Sequence, residues 1–257
     1  MIQFLRASIF SVGMILSAIV YAPFSVMTFP LPLHWRYWFI SQYPALNIWW
    51  AKVTCGLDYR IDGLENMPAE PTVVFSKHQS TWETFALTMI FRPQVWVLKR
   101  ELLRVPFFGW GLAVLEPIAI DRAAGRSAID QVLEQGHERL SRGCWVMVFP
   151  EGTRTAAGTR QRYKLGGAHL AVHWGQPVVP VAHNAGDFWP RRKFLKTPGT
   201  IRMVIGKPIP TAGREPAAVM AEAEAWIEQT VADIRGTPVP PPPGGARIKE
   251  VTEEAST

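Results

Sequence analysis

The chain has 257 residues, 48% hydrophobic and 19% charged, which supports a sizeable core and excludes wholesale disorder. Two cysteines exclude a disulfide scaffold and a cysteine-rich zinc site, and they favour a reducing compartment. A net charge of +6 with eleven tryptophans suits contact with anionic surfaces: membrane, phosphate or nucleic acid.

From Ala7 to Trp35 there is no Lys, Arg, Asp or Glu. As a helix, Ser8–Phe29 would be about 33 Å long, close to the thickness of a bilayer's hydrocarbon layer. Pro23 is expected to kink that helix or end its first part. A second uncharged stretch, Tyr37–Ala51, carries Tyr37, Trp38, Phe39, Tyr43, Trp49 and Trp50, residues suited to the headgroup level. Residues 1–54 therefore read as a membrane-spanning or membrane-inserted helical segment. A buried helix of a soluble core is the alternative. A cleaved signal peptide fits poorly, since Arg6 alone makes a thin positive region and no A-x-A site appears.

From residue 55 the texture changes to an α/β domain, expected over 55–236. Strands are expected at Asp58–Ile61, Thr72–Ser76, Val95–Lys99, Ile118–Ile120, Trp145–Phe149, Val178–Ala182 and Ile201–Ile205. Helices are expected near 82–91, 101–112, 126–142, 164–174 and 215–235. Runs such as TVVF, WVMVF and VVPV are apolar throughout, as strands buried on both faces are. The fold class is thus α/β: a mostly parallel or mixed central sheet flanked by helices, with a membrane-associated helical segment before it. Residues 237–257, proline-rich and then polar, read as an extended, disordered tail.

His78 directly follows a buried run and belongs at the carboxyl end of a strand, where ligands gather in such sheets. Five residues of continuous helix would turn His78 and Glu83 about 140° apart. They can meet only if His78 lies in a loop and Glu83 in the first helical turn. Glu83 would then fix one ring nitrogen and leave the other basic, as a general base requires. Alternatively, Ser80-Thr81-Trp82-Glu83 is a capping box that occupies Glu83, and His78 merely satisfies a loop. A capping Glu83 cannot easily serve both roles.

A second cluster, Phe149-Pro150-Glu151-Gly152-Thr153-Arg154, again follows a buried run. Gly152 permits a tight turn, and Arg154 can hold a phosphate by two parallel hydrogen bonds. Lys164 lies near the start of the next helix, whose free amides can add to an anion site. The alternative is an ordinary glycine turn with solvated bases. Ile118–Arg122 leads a strand into Asp121-Arg122, a second phosphate candidate or a surface pair. Val179-Pro180-Val181 is most simply a core strand. The basic run Arg191-Arg192-Lys193-Phe194-Leu195-Lys196 can touch anionic headgroups or be a solvated loop.

Together, in this order, His78…Glu83, Ile118–Arg122, Phe149–Arg154 and Val179–Val181 resemble the motifs of the 1-acylglycerol-3-phosphate O-acyltransferase family, over roughly residues 50–235. Lys99-Arg100-Glu101-Leu102 is similar to a further family segment. The chain departs from the pattern at Lys77 (usually Asn), Glu83 (usually Asp) and Glu116 (often Gly). Lys77 is expected to set a charge beside the base, lowering the pKa of His78.

The resemblance implies transfer of a fatty acyl group from acyl-CoA or acyl-carrier protein to the sn-2 hydroxyl of lysophosphatidic acid, giving phosphatidic acid. His78 and Glu83 would be catalytic. Lys99, Arg122, Glu151, Gly152, Thr153, Arg154 and Lys164 would bind substrate. The thioester is already activated, so neither metal nor other cofactor is implied. The partners would be the lysophospholipid, the acyl donor and a lipid bilayer, with no nucleic acid. The expected location is a membrane, the bacterial inner membrane with the site facing the cytoplasm. Another lysolipid acceptor, a lyso-ornithine lipid, or hydrolysis of an acyl thioester are the alternatives.

Overall fold

The structure is a computed structural model that describes residues 1–106, 108–121 and 126–243. It begins with a helical hairpin, α1 (Ile2–Met27) and α2 (Leu33–Cys55). Pro30 and Pro32 in the connection cannot continue a helix. The two helices approach closely because α1 offers Gly13 opposite Trp50, where a Cβ would collide with the indole. Of the two outcomes expected at Pro23, an end of the helix is not the one found: α1 runs through it to Met27. The proline costs one backbone bond there, and Ser25 Oγ donates to the Tyr21 carbonyl across the same turn at 2.8 Å. Gly56, in the left-handed region at φ 69°, ends α2 and turns the chain into the sheet.

Then come β1 (Leu57–Asp62), β2 (Val73–Ser76), α3 (Trp82–Ile90) and β3 (Gln94–Lys99). The helix expected over 101–112 is divided: a 3-10 turn over Arg100–Arg104 and a short α4 over Phe108–Ala113. Pro106 is the reason, since the residue before a proline is driven out of the helical region, and Val105 is extended. The chain continues through β4 (Ile118–Ile120), α5 (Arg126–Ser141), β5 (Trp145–Val148), α6 (Gly166–His173), β6 (Val178–His183), α7 (Ala185–Phe188), β7 (Gly199–Ile205) and α8 (Pro216–Arg235). Gly236 ends α8, and 237–243 form neither helix nor strand. The tail expected beyond them, 244–257, lies outside the described residues.

The seven strands form one sheet in the order β1-β7-β6-β2-β5-β3-β4. Strands β6, β2, β5, β3 and β4 run parallel, whereas β7 is antiparallel to β6 and β1 parallel to β7. The sheet is therefore mixed, with a parallel block at its centre. Pro180 is tolerated in central β6 because its carbonyl accepts from Gly206 just where pairing with β7 ends. One face packs Val132, Leu170 and Ile227 from α5, α6 and α8; the other packs Phe10, Ile48, Trp82 and Phe85 from α1, α2 and α3. The hairpin thus shares the core of the α/β unit. Tyr37 of α2 donates to the Thr88 carbonyl at 2.9 Å, and Arg36 reaches the Val114 carbonyl and Glu116. The outer face of α1 is exposed and apolar (Leu5, Ile9, Val12, Leu16, Ile19), and α1 is long and apolar enough to cross a membrane.

Because β2, β5, β3, β4 and β6 are parallel, their carboxyl ends lie along one edge of the sheet. His78, the 149–154 turn, Lys99 and His183 are delivered to that edge.

Candidate active site

His78 stands in the loop between β2 and α3, and Glu83 is the second residue of α3. The turn between them brings His78 Nδ1 to 3.0 Å from Glu83 Oε1. The same oxygen accepts from the Gln79 and Ser80 amides at 2.9 and 2.8 Å. Capping and histidine orientation, expected to compete, are therefore done by one oxygen. A carboxylate oxygen can accept several hydrogen bonds, and these donors approach from the loop that wraps it. Ser80 Oγ accepts from the Trp82 amide at 3.1 Å, tightening the turn that leads into α3, whose cap residue is Thr81.

Glu83 is fully buried. Burial pushes its carboxyl up, but His183, His78 and the Ser80 amide outweigh that and hold it below the usual carboxylate range. An ionised Glu83 can only accept, so the network assigns the proton to His78 Nδ1 and leaves the Nε2 lone pair free. The His78 ring lies flat on Phe149, centroids 3.8 Å apart, and Phe149 lies on Trp96 at 5.2 Å. Its plane is fixed by stacking and its spin by Glu83.

The glycine turn braces the same residue from behind. The His78 amide donates to Glu151 Oε2 at 2.7 Å, and the His78 carbonyl accepts from the Thr155 amide at 2.8 Å. Glu151 does not face a substrate. Its other oxygen takes Lys77 Nζ at 2.8 Å and Thr155 Oγ1 at 3.0 Å, and the residue is buried. The expected substrate-binding role of Glu151 is corrected to an internal one, since both oxygens are engaged inside the protein. Lys77 differs from expectation too. Its ammonium turns away from the His78 ring into the interior, between Glu151 and Glu228 of α8 (2.6 Å), and Tyr163 donates to Glu228 at 3.0 Å. Burial nonetheless pushes the Glu151 carboxyl up to about 7, against Lys77, the His78 amide and Thr155, which all lower it.

Gly152 occupies the left-handed region at φ 70°, which an L side chain would strain. Thr153 is exposed and Arg154 half-buried at the same rim. Burial lowers the Arg154 pKa and Arg191 lowers it further, while Glu83 opposes both. The Lys164 amide donates to the Pro150 carbonyl at 2.9 Å, returning the chain to the turn with Lys164 exposed. Lys99 ends β3, two strands from β2 and so about 10 Å away across the sheet. Arg122 lies outside the described residues; β4 before it ends on the same edge.

Sequence reading passed over His183, at the end of β6. Its Nε2 lies 2.8 Å from the Lys77 carbonyl and 4.0 Å from Glu83 Oε2, while Nδ1 accepts from the Ala185 amide at 3.2 Å. Nε2 is therefore the protonated nitrogen, and burial pushes the ring pKa down. The signal was present: His183 directly follows the apolar run Val178–Ala182, much as His78 comes shortly after Val73–Phe75.

A family model described as Acyltransferase matches residues 58–184. A 1-acyl-sn-glycerol-3-phosphate acyltransferase of Pseudomonas aeruginosa is 47% identical over 238 residues, covering 91% of this chain and 93% of that one. One from Saccharomyces cerevisiae is 34% identical over 72% of this chain and 62% of its own length. Among solved structures, a 1-acyl-sn-glycerophosphate acyltransferase from Thermotoga maritima shares the fold, with a TM-score of 0.74 at 22% identity, covering 91% of this chain and 96% of that one. Identity of 47% along nearly the whole of this chain and of the Pseudomonas enzyme establishes common descent, and the protein belongs to the 1-acyl-sn-glycerol-3-phosphate acyltransferase family.

Proposed function

We propose that the protein transfers a fatty acyl group from an acyl thioester to the free hydroxyl of lysophosphatidic acid, with His78 as general base. The observation that carries this reading is the His78 Nδ1–Glu83 Oε1 contact, with Nε2 left free at the carboxyl edge of the sheet. Nε2 takes the hydroxyl proton as the oxygen attacks the thioester carbonyl. The imidazolium that forms faces the Glu83 carboxylate, already ionised and buried. The tetrahedral intermediate then collapses, and the thiolate leaves as the thiol with a proton from His78. A base positioned in this way contributes about 10² to 10⁴ in rate.

Arg154 holds the acceptor's phosphate, assisted by Lys99, Arg122 and Lys164, which fixes the hydroxyl against Nε2. Thr153 and Gly152 supply the turn that presents Arg154. The donor is acyl-CoA or acyl-carrier protein, and the bilayer reached through α1 supplies the lipid substrates. In a bacterial cell the site would face the cytoplasm at the inner membrane.

The test is His78→Ala in vesicles with a labelled acyl thioester, the products identified by mass. Transfer should fall at least a hundredfold while the protein stays folded. Retention near the parent rate removes His78 as the base. Release of free fatty acid from the parent, with no acylated lysolipid, would instead mark a thioester hydrolase.

A further inference from the structure

Half of the arginines whose side chains are described, eight of sixteen, meet a carboxylate. Arg36, Arg60, Arg139, Arg142, Arg160, Arg202, Arg214 and Arg235 all do. Those that do not are exposed to water, with two exceptions: Arg154 and Arg191. These two are half-buried, have no ion pair among the described residues, and are joined through the Arg154 backbone. Arg191 Nη1 donates to the Arg154 carbonyl at 2.5 Å, and its charge lowers the Arg154 pKa behind the larger effect of burial. Two half-buried guanidinium-bearing side chains beside one turn, offset near Arg154 only by the Glu83 carboxylate that His78 already engages, cost free energy, and a structure that keeps them so is preorganised for a further anion.

We infer that Arg191 joins Arg154 in a two-guanidinium site for a phosphate monoester dianion, and that this pair selects the acceptor's headgroup. The inference rests on the reading that Arg154 meets the acceptor's phosphate. A phosphate monoester carries roughly −1.5 to −2 at neutral pH and offers three terminal oxygens. A phosphodiester headgroup carries a single negative charge and two such oxygens. One guanidinium fork satisfies a diester, whereas two match the charge and oxygen count of a monoester.

Arg191 is held for this role. It follows Trp189, whose buried ring meets Phe10 of α1 edge-on at 4.9 Å and packs near Phe85 of α3. The rest of the basic run is engaged differently. Lys196 lies over the rings of Phe10, Trp189 and Phe194, and Arg192 is exposed. Of the six residues 191–196, Arg191 is the one that touches Arg154. Its place beside the glycine turn comes from the packing of α1, so the membrane helix and the phosphate site share one support.

The experiment compares the full-length parent with Arg191→Gln and Arg191→Lys in vesicles. Acceptors are lysophosphatidic acid, a monoester, and lysophosphatidylglycerol, a diester; the donor is a fixed acyl-CoA. Arg191→Gln should raise the apparent KM for lysophosphatidic acid about tenfold or more. The KM for acyl-CoA and the rate with lysophosphatidylglycerol should stay within about twofold, and Arg191→Lys should fall between. An unchanged KM for lysophosphatidic acid overturns the inference. So does a rise confined to acyl-CoA, which would assign the pair to the donor's phosphates. Binding of glycerol 3-phosphate, read by tryptophan fluorescence, reports on the pair without turnover. It should weaken about tenfold in Arg191→Gln, and unaltered binding also overturns the inference. A parent that acylates neither lysolipid would sink the functional reading, while glycerol 3-phosphate binding would still decide the role of Arg191.

Discussion

One ammonium cannot balance two carboxylates, and Lys77 stands between two. Glu228 lies nearer, at 2.6 Å, and Glu151 takes the cost of burial, its carboxyl pushed up to about 7. In the unfolded chain the same group titrates near 4.3. Between those values the folded protein keeps a proton that the unfolded chain has lost. Glu151 therefore opposes folding progressively as pH rises from about 4.3 to about 7, by on the order of 3 kcal/mol in full. Glu151→Gln imitates the protonated form and should flatten the decline. Urea unfolding of parent and variant between pH 5 and 8 measures this; an equally steep decline in both would assign the effect to another group. Glu83 has the opposite sign: its carboxyl is held low, so its contribution is present at neutral pH and is lost only as pH falls through the folded value. His78 and Glu83 were legible in the sequence because they are five residues apart and a single turn decides whether they meet. The direction of the Lys77 side chain was not legible, because its partner is 151 positions away on α8.

At the scale of elements, the Lys77–Glu228 pair ties α8 to the end of β2, and Glu151 passes the constraint to the His78 amide. The motif's usual residue at 77 is asparagine, which is too short to reach α8. Lys77→Asn restores the motif yet should destabilise the protein by about 3–5 kcal/mol, because it leaves buried Glu228 without its cation. Adding Glu228→Gln should recover a substantial part of that loss. Thermal unfolding of the two single variants and the double variant forms the cycle, and additive losses would argue against a coupled pair. Glu116 is a similar departure. Its backbone sits at φ 53°, a region that favours glycine, and its carboxylate joins Arg36 of α2 to Arg142 beyond α5 at 2.8 and 2.7 Å. Strand and helix positions were legible from apolar runs, since buried strands leave no room for polar residues. The break between 104 and 108 follows from Pro106, a local signal that the reading of one helix passed over.

For the whole molecule, the hairpin shares the core and also exposes an apolar face. Phe10 is buried against Trp189, whereas Leu16, near the middle of the same helix, is 57% exposed. Leu16→Arg removes no packing in the α/β unit but places a charge on the exposed apolar face, which, if that face enters lipid as proposed, costs about 3 kcal/mol. Its binding to vesicles should weaken about a hundredfold in a sedimentation assay, with the unfolding temperature of the α/β unit unchanged. Equal binding of parent and variant would mean that this face of α1 does not enter lipid. By itself the sequence determined the apolar amino-terminal stretch, the strands, and the two loops that hold His78 and Arg154, because burial and turn formation depend on residues close together along the chain. Only the tertiary structure decided that β2, β5 and β6 deliver their ends to one edge, that Glu151 turns inward, that His183 stands behind Glu83, and that Arg191 reaches Arg154. Those outcomes depend on strand order and on charges paired across scores of residues, and neither leaves a periodicity in the chain to be read.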